Sequence, residues 1–115
     1  MILIDPRNPN SQSIHDQLAS LVDLSNLPLN IAFGGDGWML ECIRAHGSQH
    51  PYLGINTGTL GFLMNAVENL SNIARLLKTN QWTEYSFPRL HLTGESLHGN
   101  RIDGFALNDV YMARI

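Results

Sequence analysis

The amino-acid sequence predicts an α/β protein: an open parallel sheet with crossover helices, followed by the first β-hairpin of an incomplete all-β domain. Up to residue 78, short apolar runs alternate with segments in which apolar residues recur at helical spacing. Near Trp82 the period changes to two, which is typical of strands with one buried face. We therefore assign residues 1–84 to an α/β domain and residues 85–115 to the opening strands of a β-rich domain.

Each predicted element follows from a local pattern. Three short apolar runs bounded by proline, asparagine or glycine are predicted to be buried strands, at 2–4, 29–33 and 51–56. Helical segments are predicted at 11–22, 38–45 and 67–78, with Gly47 as the stop signal of the second. Beyond them, apolar and polar residues alternate at 85–92 and 105–112, which predicts two strands joined by a polar loop.

Composition and charge exclude several classes of function. The net charge is −3 and no run of Lys or Arg occurs, which argues against nucleic acid as a partner. No apolar stretch of 18 residues is present, so neither a membrane span nor a membrane partner is expected. Cys42 is the single cysteine, which excludes an internal disulfide and is typical of a protein in the reducing cytoplasm.

The first motif with chemical meaning is Gly34-Gly35-Asp36-Gly37, which stands between a predicted strand and a predicted helix. Open α/β sheets bind ligands at the carboxyl ends of their strands, and glycines there let backbone N–H groups approach a phosphate. A carboxylate at such a turn, here Asp36, can hold magnesium or accept a proton from an attacking hydroxyl. The structural alternative is that Asp36 caps the helix and the glycines only form a tight turn.

The second motif is the ten-residue segment 54–63, GINTGTLGFL, which also starts in a predicted strand and is therefore expected beside the first motif. Its glycines, Gly58 among them, and the side-chain amide of Asn56 allow close contact with a nucleotide. The ring of Phe62 is a candidate to lie against a base. The alternative places Phe62 in the hydrophobic core, with the glycines as a simple connection.

The third motif is the pair Asn108-Asp109, which lies within the last predicted strand. Adjacent residues of a strand face opposite sides of the sheet, so the two side chains point apart. An amide and a carboxylate at a strand end can hydrogen-bond the hydroxyls of a ribose. The alternative for this pair is a turn or an exposed strand edge without a ligand.

Together the three motifs resemble those of the NAD kinase family, which carries a GGDG turn, a GxNxGxLGFL segment and an Asn-Glu pair in this order. The resemblance covers residues 30–114. Its most specific part is the second segment, because phosphofructokinases and diacylglycerol or sphingosine kinases also carry GGDG. The chain departs from the family at two positions: Trp38 stands where most members have a small hydroxyl residue, and Asp109 stands in place of Glu.

The resemblance implies phosphorylation of the 2′-hydroxyl of the adenosine ribose of NAD. The implied donor is ATP or polyphosphate, with Mg²⁺ or another divalent cation accompanying ATP, and no protein ligand to a metal is predicted. Asp36 is the implied catalytic base. The residues assigned to phosphate or nucleotide binding are Gly34, Gly35, Gly37, Asn56, Gly58 and Phe62. Those assigned to NAD are Asp36, Gly37, Phe62, Asn108 and Asp109.

The family also carries a β-rich domain with a GSTAY-like segment that completes the pocket. The chain is therefore expected to be the N-terminal portion of a cytoplasmic enzyme, inactive in isolation, whose complete form is a homo-oligomer (dimer or tetramer). Its strands at 85–92 and 105–112 are expected to expose free edges and to favour self-association. Two alternatives stay open: another GGDG-type kinase acting on a lipid or sugar, and a nucleotide-binding fragment without catalysis.

Overall fold

The computed structural model describes residues 1–47, 49–58, 64–66, 70–87, 91–95, 101–105 and 110–114. Within these ranges the chain forms three α-helices and seven β-strands. The helices are α1 (Pro9–Ala19), α2 (Asp36–His46) and α3 (Leu70–Lys78). The strands are β1 (Ile2–Ile4), β2 (Asn30–Gly34), β3 (Tyr52–Asn56), β4 (Thr83–Phe87), β5 (His91–Glu95), β6 (Arg101–Phe105) and β7 (Val110–Arg114).

A five-stranded sheet in the order β1-β2-β3-β7-β4 forms the centre of the described structure. Strands β1, β2, β3 and β7 run parallel, with Ile2 opposite Ile31 and Ala32 opposite Gly54. Helix α1 connects β1 to β2 and helix α2 connects β2 to β3, as parallel pairing requires. The predicted parallel sheet with crossover helices is confirmed. The carboxyl ends of β1, β2 and β3 consequently lie along one edge of the sheet.

The predicted antiparallel hairpin is present, since β4 pairs with β7 and β5 pairs with β6, but it is not separate from the parallel sheet. Strand β7 lies between β3 and β4, so it is an interior strand of the main sheet, and its antiparallel partner β4 is the edge strand. Within the described ranges, β5 and β6 form a second sheet of two strands. The expectation of free edges along both 85–92 and 105–112 is therefore wrong for β7. A domain boundary at 84–85 falls inside β4 and stays a prediction.

Alternation along the parallel strands distributes the core over both faces of the sheet. On one face Ile31, Phe33, Leu53 and Ile55 are buried with residues of α1 and α3, including Leu18 and Leu77. On the other face Ala32 and Tyr52 are buried with Met39, Cys42 and Ile43 of α2. One layer of the described structure is thus α1 with α3, and the opposite layer is α2. No helix within the described ranges is long and apolar enough to cross a membrane.

Helix α1 begins and ends earlier than the predicted range 11–22. Asn8 is its N-cap, with the side chain accepting a hydrogen bond from the backbone N–H of Asn10 at 3.0 Å. Pro9 occupies the first turn, where its missing N–H costs nothing. Asn8 and Pro9 were predicted only to bound the first strand, whereas they start the helix. Val22 is buried beyond the helix end, which explains why it fitted the apolar pattern.

Candidate functional site

The GGDG turn lies where β2 ends and α2 begins. Gly34 is the last residue of the strand, Gly35 is the helix N-cap with φ −112° and ψ −173°, and Asp36 is the first helical residue. The chain passes from sheet to helix with a single residue between them. The backbone N–H groups of the first helical turn, which have no intrahelical acceptors, therefore face the carboxyl edge of the sheet.

The three glycines of this turn have different surroundings. A Cβ atom on Gly34 would lie 2.6 Å from Cδ1 and 2.8 Å from Cβ of Trp38, so the indole requires a glycine there. A Cβ atom on Gly35 or Gly37 would meet nothing within 4 Å. Gly34 is thus explained by packing, while Gly35 and Gly37 present bare backbone to open space. Bare backbone beside a helix N-terminus suits close contact with an anion.

Asp36 is half-buried in the first turn of α2. Because the cap residue is Gly35, the structural alternative in which Asp36 is the N-cap does not describe this helix. A side-chain oxygen in the first turn lies beside the positive end of the helix dipole. A carboxylate at this position can accept a hydrogen bond or a proton from a hydroxyl.

The second glycine-rich segment lies directly beside the first, as the sequence predicted. Gly34 and Asn56 are paired residues at the ends of β2 and β3, and the N–H of Thr57 donates to the carbonyl of Gly34 at 3.0 Å. The side-chain Oδ1 of Asn56 accepts from the N–H of Gly58 at 3.0 Å, which closes a tight turn. Asn56 and Gly58 therefore lie at the same edge of the sheet as Gly35 and Gly37.

Two groups of residues at this edge were not predicted from the sequence. In the first, Asn8 and Ser11 at the start of α1 hydrogen-bond Thr57 of the second turn. Asn8 was predicted only to bound the first strand. A usable signal was present, because Asn8 follows β1 closely and the carboxyl ends of parallel strands converge on one edge.

The second unpredicted group surrounds Arg7. Its guanidinium donates to Asp5 Oδ1 at 3.1 Å and to both carboxylate oxygens of Glu41 at 3.2 and 3.1 Å. It also lies 5.8 Å from the ring centroid of Trp38, whose indole N–H donates to the carbonyl of Leu3 at 3.1 Å. The hydrogen bonds to Asp5 and then to Glu41 raise the pKa of Arg7 above its ordinary value. These contacts join the β1 loop to α2 just beyond the GGDG turn.

Several predicted site residues fall outside the described structure. Phe62 lies within 59–63, and Asn108 and Asp109 lie within 106–109, so their assigned contacts stay predictions. Strand β7, which follows Asp109, runs parallel to β3 with Met112 opposite Tyr52. Its first residue, Val110, is therefore at the amino edge of the sheet, opposite the edge that carries the two glycine turns.

Cys42 is a structural residue rather than a nucleophile. Its side chain is buried in the core between α2 and the sheet, and burial raises the pKa of the thiol to about 12. At neutral pH the thiol is therefore protonated, and the thiolate is the nucleophilic form. In the described parts of the chain, no three His, Cys, Asp or Glu side chains form a group that could hold a metal ion.

These features define a class: open α/β proteins in which glycine-rich turns and a helix N-terminus meet at the carboxyl edge of parallel strands, the place where such sheets bind their ligands. The family model described as ATP-NAD kinase N-terminal domain matches residues 6–85. The chain is 32% identical to the NAD kinase of Zymomonas mobilis over 120 aligned positions, which cover 99% of this chain and 45% of that protein.

Two further relatives agree. The NAD kinase of Clostridium perfringens is 33% identical over 112 positions, covering 93% of this chain and 40% of that protein. The NAD kinase of Caulobacter vibrioides is 43% identical over 61 positions, covering 50% and 24%. The chain belongs to the NAD kinase family. It spans less than half the length of these relatives. This membership argues against the alternative of another GGDG-type kinase that acts on a lipid or sugar.

Proposed function

We propose that this chain forms the nucleotide-binding α/β part of an NAD kinase, which transfers a phosphoryl group from ATP or polyphosphate to the 2′-hydroxyl of the adenosine ribose of NAD. The observation that carries the proposal is the pairing of Gly34 with Asn56, which brings both glycine-rich turns to one edge of the sheet. Family membership supports NAD and a phosphoryl donor as the substrate class, and the open space around Gly35 and Gly37 supports phosphate contact there.

In this proposal Asp36 faces the ribose hydroxyl. It accepts the hydroxyl proton as the 2′-oxygen forms a bond to the terminal phosphorus of the donor, while the bond from that phosphorus to the bridging oxygen breaks. With ATP the leaving group is ADP. The backbone N–H groups at Gly35 and Gly37, together with the positive end of α2, stabilise the charge on the phosphate oxygens. Asn56 and Gly58 bind the nucleotide from the neighbouring strand.

In this proposal ATP binds together with a divalent cation, Mg²⁺ or another. The phosphates of the donor would hold this cation, and Asp36 is the carboxylate at this turn that could contact it. When bound, the cation neutralises negative charge on the phosphates. The residues of the chain bind, orient and deprotonate the acceptor.

The remaining parts of the proposal concern the surroundings of the enzyme. A cytoplasmic location is supported by the single, buried cysteine, which fits a reducing compartment. A homo-oligomer is supported by the edge strand β4, on which Tyr85 is 52% exposed. The mass of the protein in solution, measured by light scattering over a range of protein concentrations, tests for the oligomer directly.

The central experiment replaces Asp36 by Asn in the natural protein that carries these residues. We expect the rate of NADP formation from NAD, ATP and Mg²⁺ to fall by about 100-fold or more, because the amide cannot accept the proton. The affinity for NAD is expected to stay within a few-fold, because the carboxylate acts on the reacting hydroxyl. Asp16→Asn is the matched control, since Asp16 is an exposed carboxylate on α1 that bonds His15 and Gln12.

The outcome separates the alternatives. Loss of turnover in Asp36→Asn with normal turnover in Asp16→Asn supports the catalytic assignment. Near-normal turnover in Asp36→Asn contradicts it and leaves Asp36 a residue of the helix start. Binding of NAD and ATP without any turnover in the unmodified protein favours the non-catalytic alternative.

A further inference from the structure

A buried polar cluster lies beneath the second glycine-rich turn. The hydroxyls of Ser11 and Thr57 are 2.8 Å apart, and the two residues are 0% and 5% exposed. The side-chain amide of Asn8 donates to the hydroxyl of Thr57 at 3.2 Å and to its carbonyl at 3.3 Å. We call Asn8, Ser11 and Thr57 the hydroxyl cluster. It joins the start of α1 to a turn 46 residues further along the chain.

Hydrogen bonds in such a cluster specify position more narrowly than apolar contact does. A buried hydroxyl without a partner is costly, so Ser11 and Thr57 are stable only at hydrogen-bonding distance and with suitable orientation. Apolar side chains of similar size would fill the same space without this directional requirement. The N–H of Thr57 also donates to Gly34 at 3.0 Å, so the backbone of the same residue is fixed to the first glycine turn.

The residues on either side of Thr57 are the ones that reach the candidate site. Asn56 is half-buried and its Oδ1 is occupied by the N–H of Gly58. Within the described residues, no hydrogen bond from the Asn56 Nδ2 group is found. Asn56 lies at the edge of the sheet where Gly35 and Gly37 lie open, and among the described residues its two Nδ2 donors have no acceptor. Their direction depends on where the backbone at Thr57 is held.

We infer that Asn8, Ser11 and Thr57 are positioning residues: they fix the turn at 56–58 so that the Asn56 amide donors face a phosphate-bearing ligand at the glycine edge. The identity of that ligand rests on the proposed function, whereas the positioning itself rests on the hydrogen bonds described above. The effect passes through Asn56, since Ser11 and Thr57 are buried. A displacement of about 1 Å at such a site is enough to weaken function strongly.

The test uses variants that remove one hydroxyl at a time. Thr57→Val and Ser11→Ala break the cluster, and Thr57→Ser keeps the hydroxyl as the conservative variant. Ser13→Ala makes the same chemical change on the same helix, at an exposed residue bonded only to Gln17 in the described structure. NMR hydrogen exchange of the Gly58 amide and the signals of the Asn56 side-chain amide are recorded without ligand. Dissociation constants for NAD and ATP follow by titration of the folded protein.

We expect Thr57→Val and Ser11→Ala to speed the hydrogen exchange of the Gly58 amide. We also expect both to raise the dissociation constants for NAD and ATP by about tenfold, which is the effect of losing one hydrogen bond. Thr57→Ser should restore both readouts, and Ser13→Ala should change neither. Unchanged Gly58 exchange and Asn56 signals in Thr57→Val, with only a lower unfolding temperature, would overturn the inference. If the unmodified protein binds neither nucleotide but the NMR changes occur, the positioning stands and the proposed function fails.

Discussion

The two glycine-rich turns lie side by side at the carboxyl edge of the sheet, but different interactions fix them. The first is shaped by packing: Trp38 covers Gly34, and α2 starts immediately afterwards. The second is shaped by polar contacts: Thr57 bonds the start of α1, and Asn56 accepts from Gly58. The first turn is therefore fixed by contact with an aromatic ring, and the second by hydrogen bonds of hydroxyl and amide groups.

This difference indicates how each turn can change. A turn fixed by packing is sensitive to added volume at the covered position and insensitive at the open ones. A turn fixed by hydrogen bonds is sensitive to the loss of a polar partner, because the group left behind is buried and unsatisfied. The two turns at this edge of the sheet should therefore respond differently to substitution: the first to added volume, and the second to the loss of a hydrogen-bond partner.

Gly34→Ala is expected to have the largest effect on stability. The new Cβ would come within 2.6–2.9 Å of Cδ1, Cβ and Cγ of Trp38, atoms close to the backbone of α2 that cannot move freely. We expect a loss of about 3 kcal/mol in the free energy of unfolding, measured by urea denaturation. Gly35→Ala is the control, since a Cβ there meets nothing within 4 Å.

A comparable loss in both variants would contradict the packing account of the first turn. Gly54→Ala sharpens the comparison further. The atoms that its Cβ would meet are the ends of the flexible Met64 and Met39 side chains, which can rotate away. Its loss should therefore be clearly smaller than that of Gly34→Ala.

Much of the fold follows from local patterns that the sequence shows directly. The parallel strands β1 to β3 were predicted because each is a short apolar run between turn residues. The hairpin partner β4 was predicted for β7, but the pairing of β7 with β3 was not, because alternation identifies a strand without showing which sheet it joins. Joining β7 to β3 pairs Met112 with Tyr52, a contact between residues far apart in sequence. Local periodicity carries no information on such pairing.

The candidate site was predicted in part for the same reason. Adjacent parallel strands end at one edge, so the proximity of Gly34 and Asn56 follows from topology. The hydroxyl cluster was missed because Ser11 and Thr57 are polar residues in segments where polar residues are common, and only the fold shows that they are buried. Arg7 was missed because its partner Glu41 lies on another element.

Asn65→Ala is expected to have an intermediate effect on the second turn. The chain returns to the sheet at Asn65, whose side-chain amide donates to the carbonyls of Gly54 at 2.8 Å and Ala113 at 3.4 Å. Because Asn65 is 7% exposed, its removal leaves buried acceptors with fewer partners. We expect a loss of about 2 kcal/mol in the free energy of unfolding, compared with almost none for the exposed Asn26→Ala.

Stability equal to that of the unmodified protein in Asn65→Ala would show that the hydrogen bonds of the Asn65 amide to Gly54 and Ala113 do not stabilise the end of β3. The hydrogen exchange of Asn56 gives a second readout, because its backbone N–H donates to the carbonyl of Asn65 at 2.9 Å. Faster exchange at Asn56, together with the loss of stability, would locate the effect at the end of β3.

The smallest effect is expected from the Arg7–Glu41 ion pair beside the first turn. Both guanidinium ends reach the Glu41 carboxylate at 3.2 and 3.1 Å, yet the two side chains are 61% and 51% exposed. Water and salt screen such a pair, and ordering two long side chains offsets most of the attraction. Arg7→Ala, Glu41→Gln and the double variant form a cycle that measures the coupling. We expect thermal unfolding to show little coupling at low salt and none at 0.5 M salt, about the level at which screening acts within a few ångströms.

A large coupling that persists in salt would mean that the ion pair, and not only the packing of Trp38 on Gly34, shapes the first turn. The contrast between a packed turn and a hydrogen-bonded turn would then no longer hold.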